Sequence, residues 1–181
     1  MRCFAALLLL FAGGSTLLTA GCSSFSTSAD YDTTTDFSKY RTWTWFEGPK
    51  PGGALDGLTE KRIRTSLEAE LPARGLTKAG DGADLLVTYH VSVHQKIAVT
   101  PTTMTYGYGW GRGYAGVAYG NEVRVYDEGT LLLDLLDGKT KTLIWRGTAR
   151  GTVYEGSSPE DREQRIRDAV QQTLAVYPPL K

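Results

Sequence analysis

Polar and apolar residues alternate along several stretches of the chain, a pattern typical of strands that bury one face. Residues 40–46 read YRTWTWF and place Trp43 and Trp45 on the same face. Residues 84–94 place five apolar residues on one face: Leu85, Val87, Tyr89, Val91 and Val93. Both stretches are therefore predicted to be half-buried strands.

A third apolar stretch, residues 123–136, is followed by the turn dipeptide Asp137-Gly138 and then by a further apolar stretch, residues 141–148. Two apolar runs separated by such a dipeptide predict an antiparallel hairpin. Within the first run, Glu128-Gly129 is a point at which a bulge would interrupt the strand.

Two other stretches carry apolar residues at helical spacing. From about Thr59, apolar residues recur every four positions until Pro72 ends the pattern. The second stretch begins at Ser158-Pro159, which suits a helix N-terminus, and ends before Pro178. Each helix has one apolar stripe to bury.

The resulting element order is β-α-β-β-β-α. One-faced strands and one-striped helices are satisfied together in an α+β two-layer sandwich, here with a mostly antiparallel four-stranded sheet and two helices. We expect one domain over residues 36–181, with a Gly/Tyr/Trp-rich loop at residues 106–120. Residues 22–35 are rich in Ser, Thr and Asp and are predicted to be a flexible tether.

The N-terminus, residues 1–21, is predicted to be a lipoprotein signal peptide. It has a positive charge at Arg2 and an apolar run shorter than the ~20 residues of a membrane-spanning helix. Its end, LTAGC, resembles the bacterial lipobox, with Thr19 where Leu is commonest. We therefore expect acylation of Cys22; the alternatives are ordinary signal cleavage and an uncut signal.

Acylation of Cys22 would anchor the protein to a membrane through two or more acyl chains. Ser23 follows the cysteine, and in enterobacterial lipoproteins an Asp there would favour the inner membrane. By that analogy the expected location is the outer membrane, facing the periplasm.

The segments DFSKYRTWTW, ADLLVTY and a closing helix that ends in YPP, together with the lipobox, resemble one group of bacterial lipoproteins. These are the proteins grouped as domain of unknown function 4136, and the resemblance extends from about Asp36 to Pro179. It implies an envelope location and a fold. It implies no activity, because none is established for that group.

Composition excludes several classes of function. The only cysteines are Cys3 and Cys22, and signal cleavage and acylation would leave no free thiol. The 20 basic and 20 acidic residues balance without a basic cluster, which argues against nucleic acid. Residues 111–116 read GRGYAG and fit a dinucleotide fingerprint, but no helix follows, so we expect no nucleotide and no cofactor.

Candidate catalytic residues are few. His90 and His94 would stand about 13 Å apart on a strand, too far to share one metal ion, so no metal site is expected. Asp134 falls on the face opposite Leu133 and Leu135, where a half-buried or edge carboxylate would lie. A hydrolase would need such an acid to converge with a second acid or a histidine in a cleft, and we expect no enzyme.

The segment around residues 106–119 is unusual because it combines Gly with large aromatic rings. Its candidate contact residues are Tyr106, Tyr108, Trp110, Arg112, Tyr114 and Tyr119. Such rings supply rigid contact area on a deformable backbone, although they would also fit a loop that folds back on its own sheet.

These features favour a non-enzymatic structural or adaptor component of the cell envelope, with an envelope protein as its partner. The alternative is a periplasmic module that binds a glycan or small ligand through the same aromatic rings.

Overall fold

The computed structural model describes residues 25–48, 56–106 and 116–179. The strands are β1 (Ser26–Tyr31), β2 (Thr42–Trp45), β3 (Thr77–Lys78), β4 (Leu85–Tyr106), β5 (Gly116–Asp137) and β6 (Leu143–Val153), and the helices are α1 (Gly57–Glu70) and α2 (Pro159–Leu174). Short 3-10 turns lie at Phe37–Lys39 and Pro72–Arg74.

The strands form one open sheet in the order β1-β6-β5-β4-β2-β3. β2 pairs in parallel with both β3 and β4, and the other neighbouring strands pair antiparallel. The predicted α+β class is confirmed. The prediction of a four-stranded, mostly antiparallel sheet is imprecise, because the observed sheet has six strands and is mixed. β2 is parallel to β4 because α1 lies between them in the chain and allows the crossover that parallel pairing requires.

β1 lies within residues 22–35, which were predicted to be a flexible tether. That prediction is wrong for the residues of this strand. Its register on β6 runs from Ser26↔Arg150 to Tyr31↔Trp145. All of its residues are exposed, so the strand is held by backbone hydrogen bonds at the edge of the sheet rather than by a buried apolar face. A strand of this kind leaves no apolar alternation in the sequence, which is why it reads as a tether.

The hairpin of β5 and β6 is confirmed. The Asp137 carboxylate accepts the backbone N–H groups of Lys139 and Thr140, both at 2.9 Å, which closes the turn. The register shifts between Leu135 and Leu136, whereas β5 runs without interruption through the predicted bulge at Glu128-Gly129.

Each helix begins with a side-chain cap: the start at Ser158-Pro159 was predicted, whereas α1 begins at Gly57, slightly before the predicted start near Thr59. Asp56 accepts the N–H groups of Leu58 and Thr59, and Ser158 accepts that of Asp161. The helices pack on one face of the sheet, opposite the polar face. The core between the layers is built from fully buried residues of every layer, among them Trp43, Ile63, Leu67, Leu85, Val87, Leu133, Leu135, Trp145, Val170 and Leu174.

Candidate functional site

β4 and β5 continue far beyond the rest of the sheet. β6 pairs with β5 only as far as Asp127↔Val153, while β4 and β5 remain paired to Tyr106↔Gly116. We call residues 96–106 and 116–126 the hairpin arm. At ~3.3 Å per residue the arm is about 35 Å long.

One face of the arm is apolar. The pairs Ile97↔Val125 and Val99↔Val123 lie on the face that the helices cover in the body of the domain. Six apolar side chains are exposed there, from 52% to 85%: Ile97, Val99, Val117, Tyr119, Val123 and Val125. We call them the arm apolar face. Contiguous exposed apolar residues typically mark an interaction surface.

The opposite face of the arm carries charge. Lys96 Nζ lies 2.8 Å from Glu128 Oε1, and Arg124 Nε lies 2.7 Å from Glu122 Oε1. Three of these four side chains are at least 45% exposed, with Glu128 the most covered at 20%. The arm is therefore amphipathic, with one face suited to water and the other to an apolar partner.

The structure locates two of the six aromatic-segment candidates. Tyr106 is the last residue of β4, and Tyr119 lies on the arm apolar face with 85% exposure. The predicted loop at residues 106–120 is too long, because residues 116–120 belong to β5. The other candidates, Tyr108, Trp110, Arg112 and Tyr114, lie outside the described residues, as does Cys22.

The polar face of the sheet brings a carboxylate and a histidine together. Arg146 donates to both carboxylate oxygens of Asp134, from Nε and Nη2, each at 2.6 Å. His90 Nε2 lies 4.0 Å from Asp134 Oδ2. Asp134 is only 5% exposed and belongs to a central strand, so the half-buried or edge position expected for it is wrong.

This cluster is best explained as structural. The two-point contact with Arg146 occupies the carboxylate that a general base would need free. The hydrogen bonds that Arg146 donates to Asp134 raise the pKa of its guanidinium. His90 and His94 lie on β4 as predicted, and within the described ranges no three metal-ligating side chains are grouped.

Sequence reasoning missed a cavity at the base of the arm. It has a volume of about 340 Å³ and lies between the sheet and both helices. Phe25, immediately before β1, is part of its lining. Phe25, one of two aromatic residues in an otherwise polar segment, was the available signal.

The fold and these surfaces define an α+β domain with a projecting amphipathic hairpin. The chain belongs to the family described as "Domain of unknown function (DUF4136)", whose profile matches residues 27–179. Among curated proteins, none matches the chain.

Solved structures resemble the chain at low sequence identity. A PDZ domain protein from Parabacteroides distasonis is 16% identical, with a TM-score of 0.55 over 88% of this chain. The chain spans 36% of that protein's length. Two PelC dodecamer structures from Paraburkholderia phytofirmans give TM-scores of 0.43 and 0.42 at 10% and 9% identity, covering 83% of this chain and 95% of theirs. The first likeness supports the fold alone.

Neither helix of the described residues combines the length and the hydrophobicity needed to span a bilayer.

Proposed function

We propose that the protein is a lipid-anchored component of the bacterial outer membrane that faces the periplasm. In this role it is a non-enzymatic structural or adaptor protein, attached through acyl chains on Cys22. The lipobox-like end of the N-terminal segment supports the anchor, and the arm apolar face supports the adaptor role.

The arm apolar face is the single observation that carries the adaptor role. Cross-strand pairing of β4 and β5 along the whole arm fixes its apolar side chains in register. In the body, the same face of the same strands is covered by α1 and α2. An apolar face held on a paired hairpin provides the preformed contact area that binds another protein at little cost in conformational entropy.

The position of the N-terminus supports a partner close to the membrane. Ser26 pairs with Arg150, which is level with Thr130 in β5 and Ser92 in β4. The arm leaves the body just beyond this level, at the same end of the sheet. Cys22 is three residues before Phe25 and thus within about 10 Å of it along the chain, which brings the proposed anchor close to the base of the arm.

Photo-crosslinking in living cells tests the adaptor role. A photoreactive residue at Tyr119 probes the arm apolar face, and one at Thr100 probes the polar face of the same hairpin. We expect one recurrent protein adduct from position 119 and none from position 100. Equal adducts from both positions, or adducts to glycan alone, would contradict the adaptor role.

Cell fractionation of a Cys22→Ala variant tests the anchor separately. We expect the variant to leave the membrane fraction while remaining folded, because Cys22 precedes every strand of the core. Retention of the variant in the membrane pellet would contradict anchoring through this cysteine, whatever the crosslinking result.

A further inference from the structure

The cavity at the base of the arm is lined by the sheet and by both helices. The sheet contributes Val91, Leu131 and Ala149, and the helices contribute Ile63, Ile166 and Ala169. Its volume of about 340 Å³ lies at the lower end of the ~300–1,000 Å³ range of small-ligand sites. A site of this size suits one slender ligand.

The walls of the cavity are apolar and firmly held. Leu131, Ala149 and Ala169 are each at most 8% exposed and belong to the main core. Val93, which is 54% exposed, stands where the cavity meets the arm apolar face. The cavity is therefore an extension of the core that opens toward the arm.

Two arginines of α2 also line the cavity, and no acidic residue is among its described lining residues. Arg165 donates to the Thr152 carbonyl oxygen at 2.7 Å, and its guanidinium lies 5.1 Å from the Phe25 ring and 4.8 Å from the Tyr154 ring. These contacts fix one positive charge beside the apolar walls. Arg162 is exposed and adds a second.

We propose that this cavity binds a free fatty acid, with the alkyl chain between the sheet and the helices and the carboxylate at Arg162 and Arg165. Charge complementarity selects the head group, because arginine pairs strongly with carboxylate and the lining offers no competing acid. The apolar walls favour an alkyl chain over a polar ligand. This binding role is separate from the adaptor role of the arm and does not depend on acylation of Cys22.

Calorimetric titration of the full chain carrying Cys22→Ala, purified without detergent and stripped of bound lipid before the titration, tests the proposal. Dodecanoate is the probe, and dodecyltrimethylammonium, with the same chain and a cationic head, is its control. We expect dodecanoate to bind with one site and the cation not to bind. From octanoate to dodecanoate the affinity should rise about fourfold per methylene that enters the cavity.

Two matched pairs of variants locate the site. Val93→Trp narrows the opening and should abolish binding, whereas Ile97→Trp, four residues farther along the same face, should not change it. Arg162→Glu should weaken dodecanoate at least about tenfold, while Arg167→Glu, on α2 but outside the lining, should have little effect. Circular dichroism melting confirms that each variant is folded.

Three outcomes would overturn the proposal. The first is absence of dodecanoate binding, and the second is equal loss in a variant and its matched control. The third would be evidence that the acyl chain on Cys22, rather than a free fatty acid, occupies the cavity. We expect organic extraction to release about one non-covalent fatty acid per chain whether or not Cys22 is present. Release only from the Cys22→Ala chain would assign the cavity to the protein's own acyl group.

Discussion

The body of the domain and the hairpin arm are built from the same two strands, yet they bury very different amounts of apolar surface. In the body, Val87 of β4 faces Leu135 of β5, and both are fully buried. In the arm, Ile97 faces Val125 on the same side of the same strands, with exposures of 68% and 57%. Helices cover the first pair, and β2 and β6 flank it in the sheet; among the described residues, no element does either for the second pair.

The body and the arm differ in burial although their strands have the same periodicity, so the burial of a strand face is decided by other parts of the chain. Alternation of polar and apolar residues specifies that a strand has an apolar face. Whether that face is covered depends on the other elements of the chain, and the exposed side chains of Ile97 and Val125 show that no described element covers it in the arm. The arm apolar face thus has the pattern of a buried face and, among the described residues, no layer above it.

The largest difference between the two regions is expected in stability. Leu133 is fully buried beneath the helices, so Leu133→Ala removes apolar contacts and leaves a cavity. We expect it to lower the free energy of unfolding by about 2–5 kcal/mol. Val123→Ala in the arm, where the side chain is 60% exposed, should change it by no more than about 0.5 kcal/mol. Urea denaturation measures both, and similar losses would show that the arm belongs to the cooperative core.

A second contrast concerns the ion pairs of the two regions. Arg146→Met leaves the Asp134 carboxylate, 5% exposed, without its guanidinium partner. We expect a loss of about 1–3 kcal/mol, less than for a fully buried pair because the Arg146 side chain is 43% exposed. Arg124→Met, which breaks the exposed arm pair with Glu122, should cost under about 1 kcal/mol. Urea denaturation at neutral pH distinguishes them, and equal losses would contradict a special role for Asp134.

The sequence predicted the elements that have strong local signals. Both helices carry caps and an apolar stripe, and the β5–β6 hairpin has a turn dipeptide between two apolar runs. Local propensity and tertiary packing agree in these elements, so the sequence was sufficient. The pairing of His90 with Asp134 was not predicted, because it depends on the register between β4 and β5 rather than on either strand alone.

Prediction from the sequence failed where the structure depends on backbone pairing or on elements that are far apart in the chain. Every residue of β1 is exposed and β3 has two residues, so neither leaves a hydrophobic pattern. The length of the arm was also missed, because β4 continues well beyond the strand predicted at residues 84–94 and β5 begins at Gly116, within the predicted loop at residues 106–120. The cavity requires α1, α2 and the sheet in their final arrangement, and its lining residues are spread from Phe25 to Ala169.

A smaller effect is expected at the β5–β6 turn, at the end of the body away from the arm. The Asp137 carboxylate accepts the backbone N–H of Thr140 and the hydroxyl of Tyr40, the latter at 2.8 Å, and these bonds lower its pKa to about 2. Because its pKa is lower in the folded chain than in the unfolded chain, its stabilisation is complete above about pH 4. It is lost as the pH falls toward about 2.

Asp137→Asn should therefore cost about 1 kcal/mol at neutral pH, an amount reduced by solvent around the carboxylate. The difference from the wild type should shrink between about pH 4 and pH 2, which denaturation at a series of pH values measures. Asp81→Asn, in an exposed loop, is the control. A difference that stays constant down to pH 2 would mean that the charge of Asp137 is not what stabilises the turn.

The smallest effect on stability is expected from changing the arm apolar face itself. The double variant Ile97→Thr with Val125→Thr replaces one cross-strand pair with residues that also favour strands. Because both side chains are mostly exposed, we expect the free energy of unfolding to change by less than about 0.5 kcal/mol. Crosslinking from position 119 should nevertheless fall, because the partner would lose apolar contact at the body end of this face.

The same double exchange in the body provides the matched control. Val87→Thr with Leu135→Thr alters a pair in the same orientation on the same two strands, but it places two hydroxyl groups beneath the helices. Such burial costs several kcal/mol unless each hydroxyl finds a partner. If the arm variant kept both its stability and its crosslink, the arm apolar face would be neither core nor contact surface. If it lost stability as the body variant does, a further layer would have to cover the arm in the folded protein.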